Sequence, residues 1–373
     1  MIGLVGFILI VFISWAFSES RKEISWSFCL AKINIIGQAN GLNYVGGILS
    51  RKSIALWTLC FVLLPQLFVS IAYSETRIWI DSDLSIGEPG KDVDDGYALI
   101  QAMRSPEISI VGVSLVHGNI ANISKQYQIA MDIIRRFSPM TFRVWKGAGS
   151  PKQFGTATEA SDALSSALSR ERLRILALGP LTNIATAIRL NPSLRPQIEE
   201  LVVMAGRKPN SPVRLGPHNV ILPDTNIDND VESVRFILEQ KIPITMIPTE
   251  AMRESLINDT ILANLRTGHF AGPWLFQKSK TWIRLWKLFT GLDGFIPFDT
   301  LLVGYISHPQ FFSCSDNIRT KLVKRSDDTF PRVPFRTKLF LEAQFNSTQS
   351  TGTDRYCERV DRTFIDVLVS RLK

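Results

Sequence analysis

Apolar positions recur along most of this chain in two alternating rhythms. Arg77-Ile-Trp-Ile-Asp-Ser-Asp is a short apolar run. After a Gly/Pro-rich excursion, Lys91-Asp-Val-Asp-Asp-Gly-Tyr-Ala-Leu-Ile opens a helical pattern through Ala98, Leu99, Ile100 and Met103. The same alternation repeats downstream: strand-like 108–116 before helical 123–137, and strand-like 174–178 before helical 182–190. Residues 201–205 and 242–247 also read as strands, with a helix over 231–239 between them. This predicts an α/β fold with a mostly parallel central sheet and helices on both faces, a Rossmann-like open sheet. In such sheets ligands bind beyond the carboxyl ends of the strands, and polar motifs do follow the apolar runs here.

Two apolar stretches stand outside the alternation. Residues 1–17 are almost uncharged, and 54–72 follow Arg51 and Lys52 and end in Ala72-Tyr-Ser74. A basic flank, an apolar core and a small-x-small ending mark a secretory signal. The second run is also nearly long enough to span a bilayer, although Pro65 interrupts it. Arg21, Lys22, Lys32, Arg51 and Lys52 lie between the runs and favour a cytoplasmic position for that segment. A cleaved signal or an anchor places everything after Ser74 outside the cytosol, secreted or membrane-anchored. A buried apolar hairpin or a misassigned start of the reading frame is the alternative. The chain therefore divides into a targeting or membrane region, 1–74, and a catalytic body, 75–373, long enough for one large core.

The first strand–helix junction gathers five carboxylates: Asp81, Asp83, Asp92, Asp94 and Asp95. Like charges so close raise each other's pKa and repel unless a cation neutralises them. Oxygen ligands without nearby Cys or His select a hard ion such as Ca²⁺ or Mg²⁺. An acidic helix cap on a solvated loop is the plainer account, but a cap needs one Asp and not five.

Asp81-Ser-Asp83 and Asp92-Val-Asp-Asp95 resemble the N-terminal aspartate signature of inosine–uridine-preferring nucleoside hydrolases, with a longer intervening loop, 84–91. Further segments carry the resemblance to residue 310. His117-Gly118-Asn119 is similar to the family's Gly-Asn after its second strand. Gly179-Pro-Leu-Thr-Asn-Ile-Ala185 matches a G-P-L-T-N segment. Met204-Ala-Gly206 stands for Met-Gly-Gly, and Asp224-Thr225-Asn226-Ile227 for E-F-N-I, with Asp in place of Glu. Phe298-Asp299 occupies the closing His-Asp signature. The resemblance implies hydrolysis of the N-glycosidic bond of ribonucleosides, with a small-molecule nucleoside as substrate. It implies Ca²⁺ held by Asp83, Asp95, Asp299 and the Leu178 carbonyl, with Asp83 also accepting a proton from the attacking water. Asp94, Asn119, Met204, Asp224 and Asn226 are implied as substrate-binding, with Asn219 a further sugar-side residue, and Asp81 as loop support. Asp92 receives no role. Phe298 stands at the substrate where many members place a histidine acid.

Two competing readings use the same residues. An apolar strand followed by Asp81-Ser-Asp83 also resembles haloacid-dehalogenase-like phosphatases, which leaves Asp94, Asp95, Asn226 and Asp299 unused. A non-catalytic binder of Ca²⁺ and a ribosyl ligand draws support from Phe298 and the longer loop. Between the later motifs, Trp274, Phe276, Trp282 and Trp286 offer surfaces for a base, or form the packed face of an amphipathic helix. The net charge of +8 over 373 residues is too dispersed to argue for nucleic acid. Cys314 and Cys357 fit one disulfide of an exported protein or two buried thiols. Asn122, Asn258 and Asn346 head glycosylation sequons, the first too near the site to carry a glycan. Self-association and membrane attachment through 1–74 stay open.

Overall fold

The computed structural model describes residues 75–138, 142–252, 255–333, 335–345 and 352–373. The apolar runs 1–17 and 54–72 lie outside them. Among the described residues no helix is long and apolar enough to cross a membrane.

The strands are β1 (Thr76–Ser82), β2 (Ile108–Leu115), β3 (Val144–Lys146), β4 (Leu173–Ala177), β5 (Ile198–Met204), β6 (Ile244–Ile247), β7 (Phe312–Ser326), β8 (Thr337–Gln344) and β9 (Asp354–Val360). They form one sheet in the order β3-β2-β1-β4-β5-β6-β9-β7-β8. Pairing is parallel from β3 across to β9. β7 then runs antiparallel to both β9 and β8. The parallel portion follows the predicted alternation, whereas the antiparallel extension and edge strand β3 were not expected from the pattern. Cys314 and Cys357 face each other across β7 and β9 and are disulfide-bonded, which decides between the bridge and two free thiols.

The helices are α1 (Asp94–Met103), α2 (Ile123–Phe137), α3 (Glu159–Leu168), α4 (Thr182–Leu190), α5 (Thr225–Asp228), α6 (Val231–Glu239), α7 (Asp259–Arg266), α8 (Gly272–Thr290), α9 (Thr300–Ser307) and α10 (Phe364–Leu372). Two sequon asparagines cap helices. Asn122 accepts from the Lys125 N–H at the start of α2, and Asn258 from the Ile261 N–H at the start of α7. Asn346 lies outside the described residues.

Period-two alternation along buried strands sends successive side chains to opposite faces. Ile78, Ile80, Leu176 and Val202 pack with α1, α8, α9 and α10 in one apolar layer. Trp79, Ile175, Ala177, Leu201 and Val203 pack with α3, α4 and α6 in the other. Burying each such Ile, Leu or Val contributes about 1.5–3 kcal/mol, so the sheet is held from both sides. The chain leaves β1 towards β2 and β3, then returns to the opposite side of β1 at β4. The connections after β1 and β4 therefore diverge, and a crevice opens at their carboxyl ends.

Candidate active site

A cavity of about 400 Å³ occupies that crevice. Each predicted site residue except Asp95 and Asn219 lines it directly: Asp83, Asp94, Asn119, Leu178, Met204, Asp224, Asn226, Phe298 and Asp299. Asp95 lies one residue behind Asp94, wholly buried. The long 84–91 loop folds back on itself. Leu84, Ser85 and Ile86 are buried, and Ser85 Oγ donates to the Asp92 carbonyl at 2.9 Å. Asp83 and Asp94 thus meet at one cavity despite the added residues.

The carboxylates are tied to each other by main-chain donors. Asp94 accepts from the Asp95 N–H at 3.1 Å and, through its other oxygen, from the Asp299 N–H at 3.3 Å. Asp95 accepts from Ser82 Oγ at 2.5 Å and Asn119 Nδ2 at 3.3 Å. Asp83 Oδ2 accepts from the Asn119 N–H at 2.6 Å. Gly118 permits that approach: a Cβ there would lie 2.0 Å from Asp83 Oδ2. Asp92 accepts from the Val93 and Asp94 N–H groups, which gives it a part in starting α1.

Burial pushes every one of these acids upward, and their mutual repulsion adds to it. Asp83, Asp94 and Asp299 are raised well above the carboxylate range. Asp95 is pushed up to about 7, by burial first and Asp94 second. One carboxylate oxygen each from Asp94, Asp95 and Asp299 lies within 4.8 Å of the others. Asp81 Oδ2, near the end of β1, is also buried without a hydrogen-bond partner. Desolvated, mutually repelling, oxygen-only donors are what a divalent cation neutralises, so the residues fit a metal ion. Asp83 faces the same cavity but lies outside that tightest trio.

The opposite wall is built from strand ends. Asn226 Nδ2 donates to the Leu178 carbonyl at 2.7 Å and to the Met204 carbonyl at 3.2 Å, joining the ends of β4 and β5. Asp224 accepts from the Gly206 N–H at 2.8 Å and from Ile227 N–H, capping α5; burial pushes it up to about 6. Asn219 sits exposed in a left-handed turn and does not line the cavity.

Aromatic groups close the remaining side. Trp282 and Trp286 of α8 line the cavity, and Trp286 lies 6.0 Å from the Phe298 ring. Tyr97 and Ser279 hydroxyls, 2.8 Å apart, fix α8 against α1. Trp274 and Phe276 do not reach the cavity: Trp274 packs on Phe137 at 5.5 Å, and Phe276 lies under Arg266 and Lys280. Trp282 and Trp286 therefore face the cavity, whereas Trp274 and Phe276 pack away from it.

Beneath the site, Thr182 and Asn183 are of the types that cap helices, yet neither caps α4. Asn183 Nδ2 donates to Asp81 Oδ1 at 2.8 Å and to the Leu115 carbonyl at 3.0 Å. Thr182 donates to Asp230, and His117 Nε2 lies 2.8 Å from its hydroxyl. Sequence reasoning gave His117 and Asp230 no role, and also missed Val220, Leu222, Thr249, Phe289 and Phe330 among the lining residues. Val220, Leu222, Thr249 and Phe330 sit in connections without a motif, and Phe289 is near the end of α8, so no local pattern marks them.

A parallel sheet with a buried acidic centre at its switch point and an aromatic wall opposite defines an α/β enzyme with room for a small ligand. The chain belongs to the inosine-uridine preferring nucleoside hydrolase family, whose match spans residues 78–361. It is accordingly a hydrolase acting on N-glycosyl compounds, and the phosphatase-like reading of Asp81-Ser-Asp83 falls away. The pyrimidine-specific ribonucleoside hydrolase RihB of Shigella flexneri serotype 5b is 23% identical over 265 residues, covering 61% of this chain and 79% of that protein. Among solved structures, the plant nucleoside hydrolase PpNRh1 superposes with a TM-score of 0.64 at 18% identity, over 80% of this chain and 98% of that one. The purine-preferring ribonucleoside hydrolase from Gardnerella vaginalis gives 0.62 at 20% identity, with the same coverage. Likeness at that identity concerns the fold.

Proposed function

We propose that the chain releases free base from ribonucleosides at a calcium-dependent centre, with Asp83 as proton acceptor. The observation that carries this reading is the meeting of Asp83, Asp94, Asp95 and Asp299 with Asn119, Asp224 and Asn226 around one cavity. Asp83, Asp95, Asp299 and the Leu178 carbonyl would hold Ca²⁺, with Asp94 adjacent. Bound there, the cation supplies positive charge that lowers the pKa of water and orients sugar hydroxyls.

Cleavage of an N-glycosidic bond builds positive charge on the ribose, and buried carboxylates beside the anomeric carbon stabilise it. Asp83, oriented by the Asn119 N–H, takes the proton from the attacking water. Asp94 and Asn119 bind sugar hydroxyls from one side, and Asn226 and Asp224 from the other, over Met204. Phe298 offers no proton, so the departing base leaves by its own capacity to be protonated. The test is release of free base from a panel of common nucleosides, with and without a chelator. Release that chelation abolishes and Ca²⁺ restores is expected. Calcium-dependent nucleoside binding without release would favour the non-catalytic reading instead.

The Cys314–Cys357 bridge supports placement of the catalytic body outside the cytosol. Mass spectrometry of the chain recovered from its native source checks this: a start near Glu75, or membrane retention through 54–72, is expected. An intact first residue on soluble cytosolic protein would overturn it.

A further inference from the structure

The outer end of the cavity has an aromatic wall that neither the acids nor the sugar-side groups explain. Phe289, near the end of α8, and Phe330, in the β7–β8 connection, both line the cavity. They are nevertheless 52% and 51% exposed. Phe335 in the same connection is fully exposed and does not line it, so position at the mouth is particular to Phe330. Two large apolar rings left half in water at a cavity mouth gain burial only when a ligand covers them.

Both rings are held by built structure. The Phe330 N–H donates to the Ile221 carbonyl at 2.8 Å. Its connection is pinned by Asp327, which accepts from Thr329 N–H and Oγ1 and pairs with Arg336 at 3.1 Å. Asp328 pairs with Arg207 at 3.0 Å. The 215–221 segment is in turn fastened to the end of α8. There the His218 N–H donates to the Thr290 carbonyl, and the His218 ring lies 3.0 Å from the Phe289 carbonyl. Gly216, at φ +61°, allows this contact, because a Cβ would lie 2.1 Å from Thr290 O. Three segments distant in sequence therefore form one rim that sets where the two rings stand.

We infer that Phe289 and Phe330 are specificity-determining residues that close this rim on the nucleobase and favour bicyclic over monocyclic bases. The inference rests on the proposed reading, in which the ribose lies against the carboxylates. With the sugar there, the base projects outward past Trp282 and Trp286, and the second ring of a purine extends further from the glycosidic bond than a pyrimidine does. Flat aromatic faces reward that extension through stacking and displaced water.

Phe330→Ala and Phe289→Ala are to be assayed with inosine, with uridine as substrate or competitive inhibitor, and with ribose as inhibitor. Inosine kcat/KM is expected to fall about 5- to 150-fold, the range for losing one base–aromatic stack, mostly through KM. Uridine is expected to change by less than about 3-fold and ribose inhibition not at all, since neither engages a second base ring. Phe330→Trp should restore the inosine value. An unchanged inosine-to-uridine ratio in both alanine variants overturns the inference, as does a ribose effect equal to the inosine effect. If the wild-type chain releases no base, the proposed function fails separately. Calorimetric inosine binding by wild type and Phe330→Ala then decides the rim: weaker binding by the variant supports it. Equal binding, or none by either protein, overturns it.

Discussion

The main-chain N–H of Asn119 donates a 2.6 Å hydrogen bond to Oδ2 of Asp83, across the carboxyl ends of β2 and β1. Only a residue without a side chain fits at position 118, where a Cβ would stand 2.0 Å from the same oxygen. Gly118→Ala should therefore push the Asp83 carboxylate aside. Misplacing a reacting group by about 1 Å can cost 10²-fold, and kcat is expected to fall by that order. Steady-state base release beside a thermal melt checks this. An alanine variant that keeps wild-type kcat would remove Asp83 from the proton-accepting role.

The metal assignment is tested one carboxylate at a time. Asp95→Ala and Asp299→Ala each remove a charged ligand and should abolish divalent-ion binding and turnover together. Asp94→Asn should raise KM and lower kcat while the ion stays bound. The close oxygens of Asp94, Asp95 and Asp299 make this last variant the informative one. Loss of the ion in Asp94→Asn, measured by calcium titration, would move Asp94 from the sugar side to the ion.

Departure of the base gives a third expectation. A positioned general acid contributes about 10²–10⁴-fold, and Phe298, buried against Trp286, holds no proton to give. Purines ease their own departure by protonation at N7, which uridine lacks. Inosine and guanosine should thus exceed uridine in kcat/KM, and Phe298→His should help uridine more than inosine. Wild-type uridine turnover equal to that of inosine would reveal another acid.

A pH dependence follows from His117. Burial holds its imidazole below the ordinary value, so as pH falls the unfolded chain takes up its proton, near pH 6.5, before the folded protein does. With the folded pKa depressed, the stabilisation is full above about pH 6.5 and is lost as pH falls through and below it. His117→Gln lacks this dependence. Denaturant unfolding should show the gap between wild type and variant narrowing from about pH 7.5 to about pH 5.5. A gap constant over that window would mean that His117 titrates alike in both states.

The Cys314–Cys357 bridge closes a 43-residue separation between strands β7 and β9. Disulfides of that span typically contribute about 2–4 kcal/mol by restricting the unfolded chain. Replacing both cysteines with serine should lower the unfolding free energy by that amount while leaving nucleoside KM unchanged, because neither residue lines the cavity. A rise in KM without loss of stability would show the bridge acting on the site instead.

The parallel sheet and the positions of its acids were set by local sequence. Alternating apolar runs fix which faces are buried, and helices 123–137, 182–190 and 231–239 form where their periodicity predicts. Asp83, Asn119, Leu178 and Met204 stand at or just past strand ends, so chain direction alone brings them to one edge of the sheet. The tertiary structure decided what has no local period. Thr182 and Asn183, readable in isolation as helix caps, spend their hydrogen bonds on Asp230 and Asp81 because those buried acids need donors. The antiparallel β7–β8–β9 extension pairs segments whose partners lie far along the chain. From it Phe330 reaches a cavity more than two hundred residues from Asp83 in sequence. An acid at the end of a strand is placed by its neighbours, but a ring at the tip of a connection is placed only by the fold that carries it.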